Sequence, residues 1–190
     1  MTTSFSVLYD ACVLYPAPLR DFLMELAVTD LFRAKWTDRI HEEWIGNLLE
    51  KRKDLTRERL ERTRIKMNSN VRDCLVEGYE FLIESLDLPD PNDRHVVAAA
   101  IHSRCDVIVT YNLKHFPQET LSRHKLEAQH PDQFIAHLLD LDRAVVCQAA
   151  REHRARLRQP PKTVEEYLET LKSQQLTVTA SILHDMRGLI

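Results

Sequence analysis

Four acids of this chain have separate reasons to gather, and an amide joins them. Asp10 leaves the strand-like run Ser4-Phe5-Ser6-Val7-Leu8-Tyr9. Glu43 sits at the margin of an apolar helix stripe formed by Ile40, Trp44 and Leu48. Asp90 and Asp93 lie in the loop Leu88-Pro89-Asp90-Pro91-Asn92-Asp93, which opens the next helix. Asn112 follows the β-branched run Asp106–Thr110. Carboxylates brought close together cannot all stay ionised without compensation. For an all-oxygen cluster the usual compensation is a hard divalent cation, Mg²⁺ or Mn²⁺, since zinc favours histidine and cysteine. One or two such ions commonly serve phosphoryl chemistry, activating water and stabilising charge on the scissile phosphate and leaving oxygen.

Each residue also has a plainer explanation. Asp93 could cap a helix with its carboxylate. Asp90-Pro91-Asn92 could be only a turn, and Asn112 a strand-to-helix turn. Glu43 could be a solvated helix acid paired one turn away. The chemistry therefore depends on the elements that position these side chains. The stretch from Leu88 to Phe116 reads as loop, helix, strand, loop. Two prolines keep the loop out of helix, Val96, Val97, Ala100 and Ile101 make a buried helix face, and Asp106–Thr110 has the composition of a buried parallel strand. Strands alternating with helices predict a parallel sheet whose strand ends share one edge, where ligands bind in open α/β sheets.

Around that stretch the pattern predicts a helix started by Pro16 and Pro18 and carrying its apolar face over Leu19–Phe32, a short strand over Arg33–Trp36, and a helix from Asp38 to about Lys53 capped by Thr37. A basic helix follows over about Thr56–Glu77. Residues 33–66 hold eleven Lys or Arg against seven Asp or Glu. They suit either a phosphodiester partner or an exposed helix laced by i, i+4 pairs. Leu126–Ala128 is an expected edge strand. His130-Pro131 marks the boundary between residues 1–130 and an all-helical extension, 131–190. There the expected helices run from Phe134 to Leu157, Val164 to Gln174 and Thr177 to Met186, with Thr163-x-x-Glu166 as a capping box.

Composition excludes several classes. With three glycines there is no glycine-rich phosphate loop, and the four scattered cysteines make no CxxC. Thiols so dispersed suit a reducing cytoplasm. No apolar run is long enough for a membrane span, and no membrane partner is expected. His41, His95, His102 and His115 lack ligand spacing to one another, and His95, which follows the site acids, reads either as a substrate contact or, more simply, as a polar helix residue.

The ordered set VLYDACVLYP, IHEEW, PDPNDRHVVAAAI and TYNLKHF resembles the PIN-domain nucleases, most of all the VapC-like toxins of toxin–antitoxin pairs in a long form with a helical tail. The resemblance covers residues 1 to about 130. It implies an α/β/α fold with a central parallel sheet and a Mg²⁺- or Mn²⁺-dependent endoribonuclease. By it, Asp10, Glu43 and Asp93 are the metal carboxylates, Asp90 an auxiliary acid at the rim, and Thr110 a hydroxyl that orients a carboxylate or water. It also implies an RNA substrate, an antitoxin partner that blocks the acidic pocket, and a tendency to dimerise. Many members of the family carry aspartate at the position read here as Asn112, and asparagine brings no charge. Hydrolysis by activated water leaves a 5′-phosphate and a 3′-hydroxyl. Two other classes compete: a PIN-like module that only binds protein or RNA, and a haloacid-dehalogenase-like phosphatase. The phosphatase needs a second acid two residues after the first, where this chain has Cys12.

Overall fold

The computed structural model describes residues 5–158 and 160–190. Ser4 of the expected first strand lies outside them. The described elements run β1 (Ser6–Tyr9), α1 (Ala11–Leu14), α2 (Ala17–Ala27), β2 (Arg33–Lys35), α3 (Asp38–Lys51), α4 (Arg57–Asn70), α5 (Arg94–His102), β3 (Val107–Val109), α6 (Gln118–Ser122) and β4 (Glu127–Gln129). Then come α7 (Pro131–Leu141), α8 (Arg143–Arg156), α9 (Val164–Ser173) and α10 (Thr177–Asp185). The chain forms two compact units. One holds the described residues up to Tyr15 with Phe32–His130, and the other holds Pro16–Leu31 with Pro131–Ile190. The second unit thus includes a segment, residues 16–31, that precedes the boundary drawn from sequence.

The first unit is an α/β fold. Its four strands are all parallel, in the order β2-β1-β3-β4. Val7, Leu8 and Tyr9 in β1 and Ile108 and Val109 in β3 are fully buried, as expected of central strands covered on both faces. Tyr9 pairs in register with Val109, and Val109 with Gln129. Asp10, Thr110 and His130 therefore leave the sheet side by side. Helix α5 packs on β1 and β3 through its run of buried valines and alanines.

The basic helix is shorter than its composition suggests. It ends at Asn70 rather than near Glu77. Asp73 takes a left-handed turn (φ 52°), and Leu75 forms a parallel bridge with Trp36. Trp36 donates its N–H to Cys74 O at 2.9 Å, and Val76 donates to Trp36 O at 2.8 Å. Sheet-like pairing beside β2 outcompetes helix propensity there. Helix α2 starts at Ala17, between the two prolines expected to open it, but stops at Ala27, earlier than expected, and α1 was not anticipated at all. The segment after Tyr79 is a 3₁₀ helix, Glu80–Ser85.

In the second unit the helix expected over Phe134–Leu157 is two helices. Asp142 stands extended between α7 and α8, and its carboxylate accepts the Val145 N–H at 3.0 Å. A capping side chain in the middle of an apolar periodicity restarts the helix. The Thr163–Glu166 capping box is present. The buried Asp132 of α7 takes the N–H groups of Val178 and Thr179 at 2.9 and 2.8 Å, satisfying the first turn of α10.

His153 of α8 is 1% exposed. It stacks on Phe22 at 5.5 Å, and its Nδ1 lies 3.0 Å from the Tyr167 hydroxyl. Burial first, and then the charge of Arg156, push the imidazole down to about 4. The unfolded chain takes up this proton near pH 6.5, so it binds more protons than the folded chain between pH 6.5 and about 4. The contribution of neutral His153 is present above that window and is lost as pH falls through it. The expected cost by pH 4 is about 3 kcal/mol. Urea unfolding at pH 7 and pH 4.5 checks this. His153→Leu should show a clearly smaller loss between the two pH values than wild type, and an equal loss would refute the assignment.

Candidate active site

Asp10 follows the fully buried Val7, Leu8 and Tyr9 and is itself 5% exposed. Such a carboxylate must be hydrogen-bonded. Both of its bonds fall on one oxygen: Oδ2 accepts the Thr110 hydroxyl at 2.7 Å and the Cys12 thiol at 3.1 Å. Among the described residues no hydrogen bond reaches Oδ1. The donors are themselves fixed. Thr110 Oγ1 accepts the Asn112 N–H at 3.0 Å, and Cys12 Sγ accepts the Tyr111 N–H at 3.3 Å. Burial, and then the charge of Asp10, push the Cys12 thiol far up, so it stays a protonated donor. The ends of β1 and β3 are thereby stitched around one carboxylate.

Asp90 shapes the loop before α5. Its Oδ1 accepts the Asn92 N–H at 2.9 Å and starts the turn Pro91–Asp93. Asp93 occupies the cap position of α5, yet its side chain makes no capping bond. Instead its Oδ2 meets His115 Nδ1 at 2.8 Å. Burial is the main cause that raises the Asp93 carboxyl above the ordinary range; the His115 hydrogen bond opposes it, and the charges of Asp10 and Asp90 add to the rise. Ligand atoms of Asp90, Asp93 and His115 all lie within 4.8 Å of one another.

Glu43 projects from α3 beside the buried stripe of Ile40, His41, Trp44, Ile45 and Leu48, and its side chain is 34% exposed. Its Oε1 lies 2.8 Å from His95 Nε2 and 3.4 Å from Arg39 Nε. The one-turn arginine pair is present, but so is a buried partner on α5. No hydrogen bond or ion pair links Glu43 to Asp10 or Asp93. Its connection to them runs through His95, two positions after Asp93.

The structure joins Asp10 to Thr110 and Asp90 to Asp93, lets the charge of Asp10 act on Asp93, and ties Glu43 to the start of α5 through His95. The group spaced to share an ion among the described residues is Asp90, Asp93 and His115, without Asp10 or Glu43. Asn112 contributes its backbone N–H, while its side-chain amide makes no hydrogen bond among the described residues. Of the residues after β3, His115 rather than Asn112 meets Asp93. Sequence reading weighed His95 and His115 for ligand spacing and Cys12 only against a phosphatase, and missed that each holds a site carboxylate. Histidine-to-histidine spacing hides a histidine whose partner is a carboxylate some twenty residues away. A usable signal was present, since His115 shares the post-strand loop with Asn112.

The basic residues of α4 are largely engaged. Arg64 contacts Asp38 at 2.8 Å, Glu42 at 2.9 Å and Glu61 at 3.5 Å. Arg57 contacts Glu42 and Glu61, and Arg62 contacts Glu58. This network joins α3 to α4, so much of the positive charge serves helix pairing.

Comparison with known proteins agrees with the α/β fold. The PIN domain model matches residues 6–114, more than half of the chain, and the chain belongs to the PIN domain family. The remainder is similar to a narrower group: the VapC50 C-terminal domain model matches residues 131–185. The chain is 48% identical over 64 residues to the putative ribonuclease VapC50 of Mycobacterium tuberculosis (strain ATCC 25618 / H37Rv), covering 34% of this chain and 37% of that relative. The match therefore spans little more than a third of the curated relative's length. No solved structure matches. No described helix is long and apolar enough to cross a membrane.

Proposed function

We propose that this protein is a Mg²⁺- or Mn²⁺-dependent endoribonuclease, the toxin of a toxin–antitoxin pair acting in the cytoplasm. One observation carries the proposal. Asp10, Glu43 and Asp93 each have one carboxylate oxygen held by protein donors and a second oxygen with no hydrogen bond among the described residues. Each carboxylate so held keeps one oxygen for a ligand, and the charges of Asp10 and Asp90 act on Asp93. That donor set fits a hard divalent cation.

Asp10, Glu43 and Asp93 would hold the ion, with Asp90 at the rim and His115 against Asp93. When bound, the ion supplies positive charge for the scissile phosphate and lowers the cost of generating a water nucleophile. The chain's own residues do the positioning. Thr110 and Cys12 keep Asp10 from rotating. Asp90 sets the turn that aims Asp93. The VapC50 relative is named as a putative ribonuclease, and the shared PIN domain supports RNA as the substrate. An antitoxin would close the acidic pocket, most simply with a basic side chain competing for the same oxygens. Self-association into a dimer is a further part of the proposal.

The test is incubation of the purified chain with total RNA in Mg²⁺, in Mn²⁺ and in EDTA, with the fragment ends analysed. Discrete, cation-dependent fragments bearing 5′-phosphate and 3′-hydroxyl ends are expected. Fragments ending in 2′,3′-cyclic phosphate would contradict a water nucleophile. Intact RNA with every cation, from folded protein free of inhibitor, would leave a module that only binds.

A further inference from the structure

We infer that His95 is the positioning residue that gives Glu43 its working orientation, an inference that rests on the metal-dependent nuclease proposed above. Glu43 stands on the exposed margin of α3 with several rotatable bonds, and its conformational freedom works against a fixed ligand direction. His95 removes that freedom. Its ring is 1% exposed, on a helix whose neighbours Val96 and Val97 are fully buried. Its Nε2 lies 2.8 Å from Glu43 Oε1. Its Nδ1 is buried with no hydrogen-bond partner.

These facts assign the tautomer. A proton on Nε2 gives the carboxylate a donor and leaves only a lone pair at Nδ1. A proton on Nδ1 would orphan a buried N–H and turn the Nε2 lone pair towards a carboxylate oxygen. His95 therefore donates Nε2–H to Oε1. Arg39 Nε approaches the same oxygen at 3.4 Å from the other side. Oε2 is left without a hydrogen bond among the described residues and is the oxygen offered to a ligand. His95 and Asp93 share the first turns of α5, so the imidazole also transmits the position of Asp93 to Glu43. Among the described residues no other hydrogen bond or ion pair joins Glu43 to α5.

The experiment compares His95→Leu with His95→Gln, whose amide N–H can stand in for imidazole Nε2–H. Mn²⁺ affinity is read from free Mn²⁺ by electron paramagnetic resonance. Melting in EDTA, and kcat and KM for RNA cleavage, are measured alongside. The leucine variant is expected to bind Mn²⁺ roughly tenfold or more weakly, the usual range for an outer partner of a ligand, and the glutamine variant to regain most of that loss. RNA KM should stay near wild type. Wild-type affinity in His95→Leu, or equal loss in both variants, would overturn the assignment. If the wild type binds Mn²⁺ with this pattern yet leaves RNA intact, the nuclease proposal fails and the positioning role stands. If the wild type takes up no Mn²⁺, both fall. Should His95→Leu fail to fold, imidazole ¹⁵N spectra of the cation-free wild type and Glu43→Ala decide the matter. They should show an Nε2-protonated ring whose N–H is protected from exchange only when Glu43 is present, and an Nδ1-protonated ring would refute the assignment.

Discussion

Replacing Asp93 with asparagine is expected to abolish cation-dependent RNA cleavage and, at the same time, to raise the melting temperature of the cation-free protein. The two effects have opposite signs because they answer to different states. Without a cation, burial and the charges of Asp10 and Asp90 disfavour the ionised Asp93 carboxylate in the folded chain. An acid whose folded pKa is raised costs the fold stability once pH exceeds that pKa, and the cost disappears when pH falls below the unfolded value. Asparagine carries no charge, and its carbonyl still accepts from His115. The variant should therefore melt higher than wild type at pH 7 in EDTA, and the gap should close towards acid. With a cation the balance reverses, since a charged ligand is lost from an all-oxygen site. A loss of about 4 kcal/mol of charge stabilisation corresponds to roughly a thousandfold lower rate. Melting in EDTA and in Mn²⁺, with single-turnover cleavage, separates these terms. Cleavage near the wild-type rate would remove Asp93 from the site. A cation-free melting point several degrees below wild type would mean that the His115 contact outweighs the repulsion.

Much of this fold could be read from sequence because the strongest signals are local. The buried run Val107–Val109, the Thr37 cap and the Thr163–Glu166 box each declare themselves within a few residues. The common strand edge followed from alternation alone, and it delivers Asp10 beside Thr110 as a parallel sheet requires. What could not be read depends on partners distant in the chain. Helix α4 stops at Asn70 because Leu75 pairs with Trp36, and periodicity carries no trace of that bridge. The helix break at Asp142 was visible in principle, as an acid able to cap, but the apolar pattern ran through it. At the site, acids were legible because carboxylates near a sheet edge are costly. Their partners were not. Histidines 95 and 115 declare a role only when Glu43 and Asp93 are seen to face them.

The largest effect on stability is expected away from the acids, at Asn68. Its Oδ1 accepts two donors, Trp36 Nε1–H at 2.7 Å and His41 Nε2 at 2.9 Å. His41 Nδ1 in turn accepts Trp44 Nε1–H at 3.0 Å, which places the His41 proton on Nε2 and makes this imidazole a neutral relay. Burial lowers the pKa of His41, consistent with that neutral state. Trp36, His41 and Trp44 are all fully buried, whereas Asn68 is only half-buried. One carbonyl oxygen on α4 thus satisfies two donors that have no other acceptor among the described residues. Asn68→Leu covers both donors with hydrocarbon and should cost about 3 kcal/mol, the desolvation penalty of buried polar groups left unpaired. Asn68→Ala opens space from the solvent side, so water can reach the donors and the cost should be roughly half as large. Urea denaturation of both variants tests this ordering, and a larger loss for alanine would mean that packing, not hydrogen bonding, makes Asn68 matter. The chain of bonds runs from Asn68 through His41 to Trp44, the residue next to Glu43. Loosening it should reach the site as well, lowering Mn²⁺ affinity in Asn68→Leu even under conditions where the variant is fully folded.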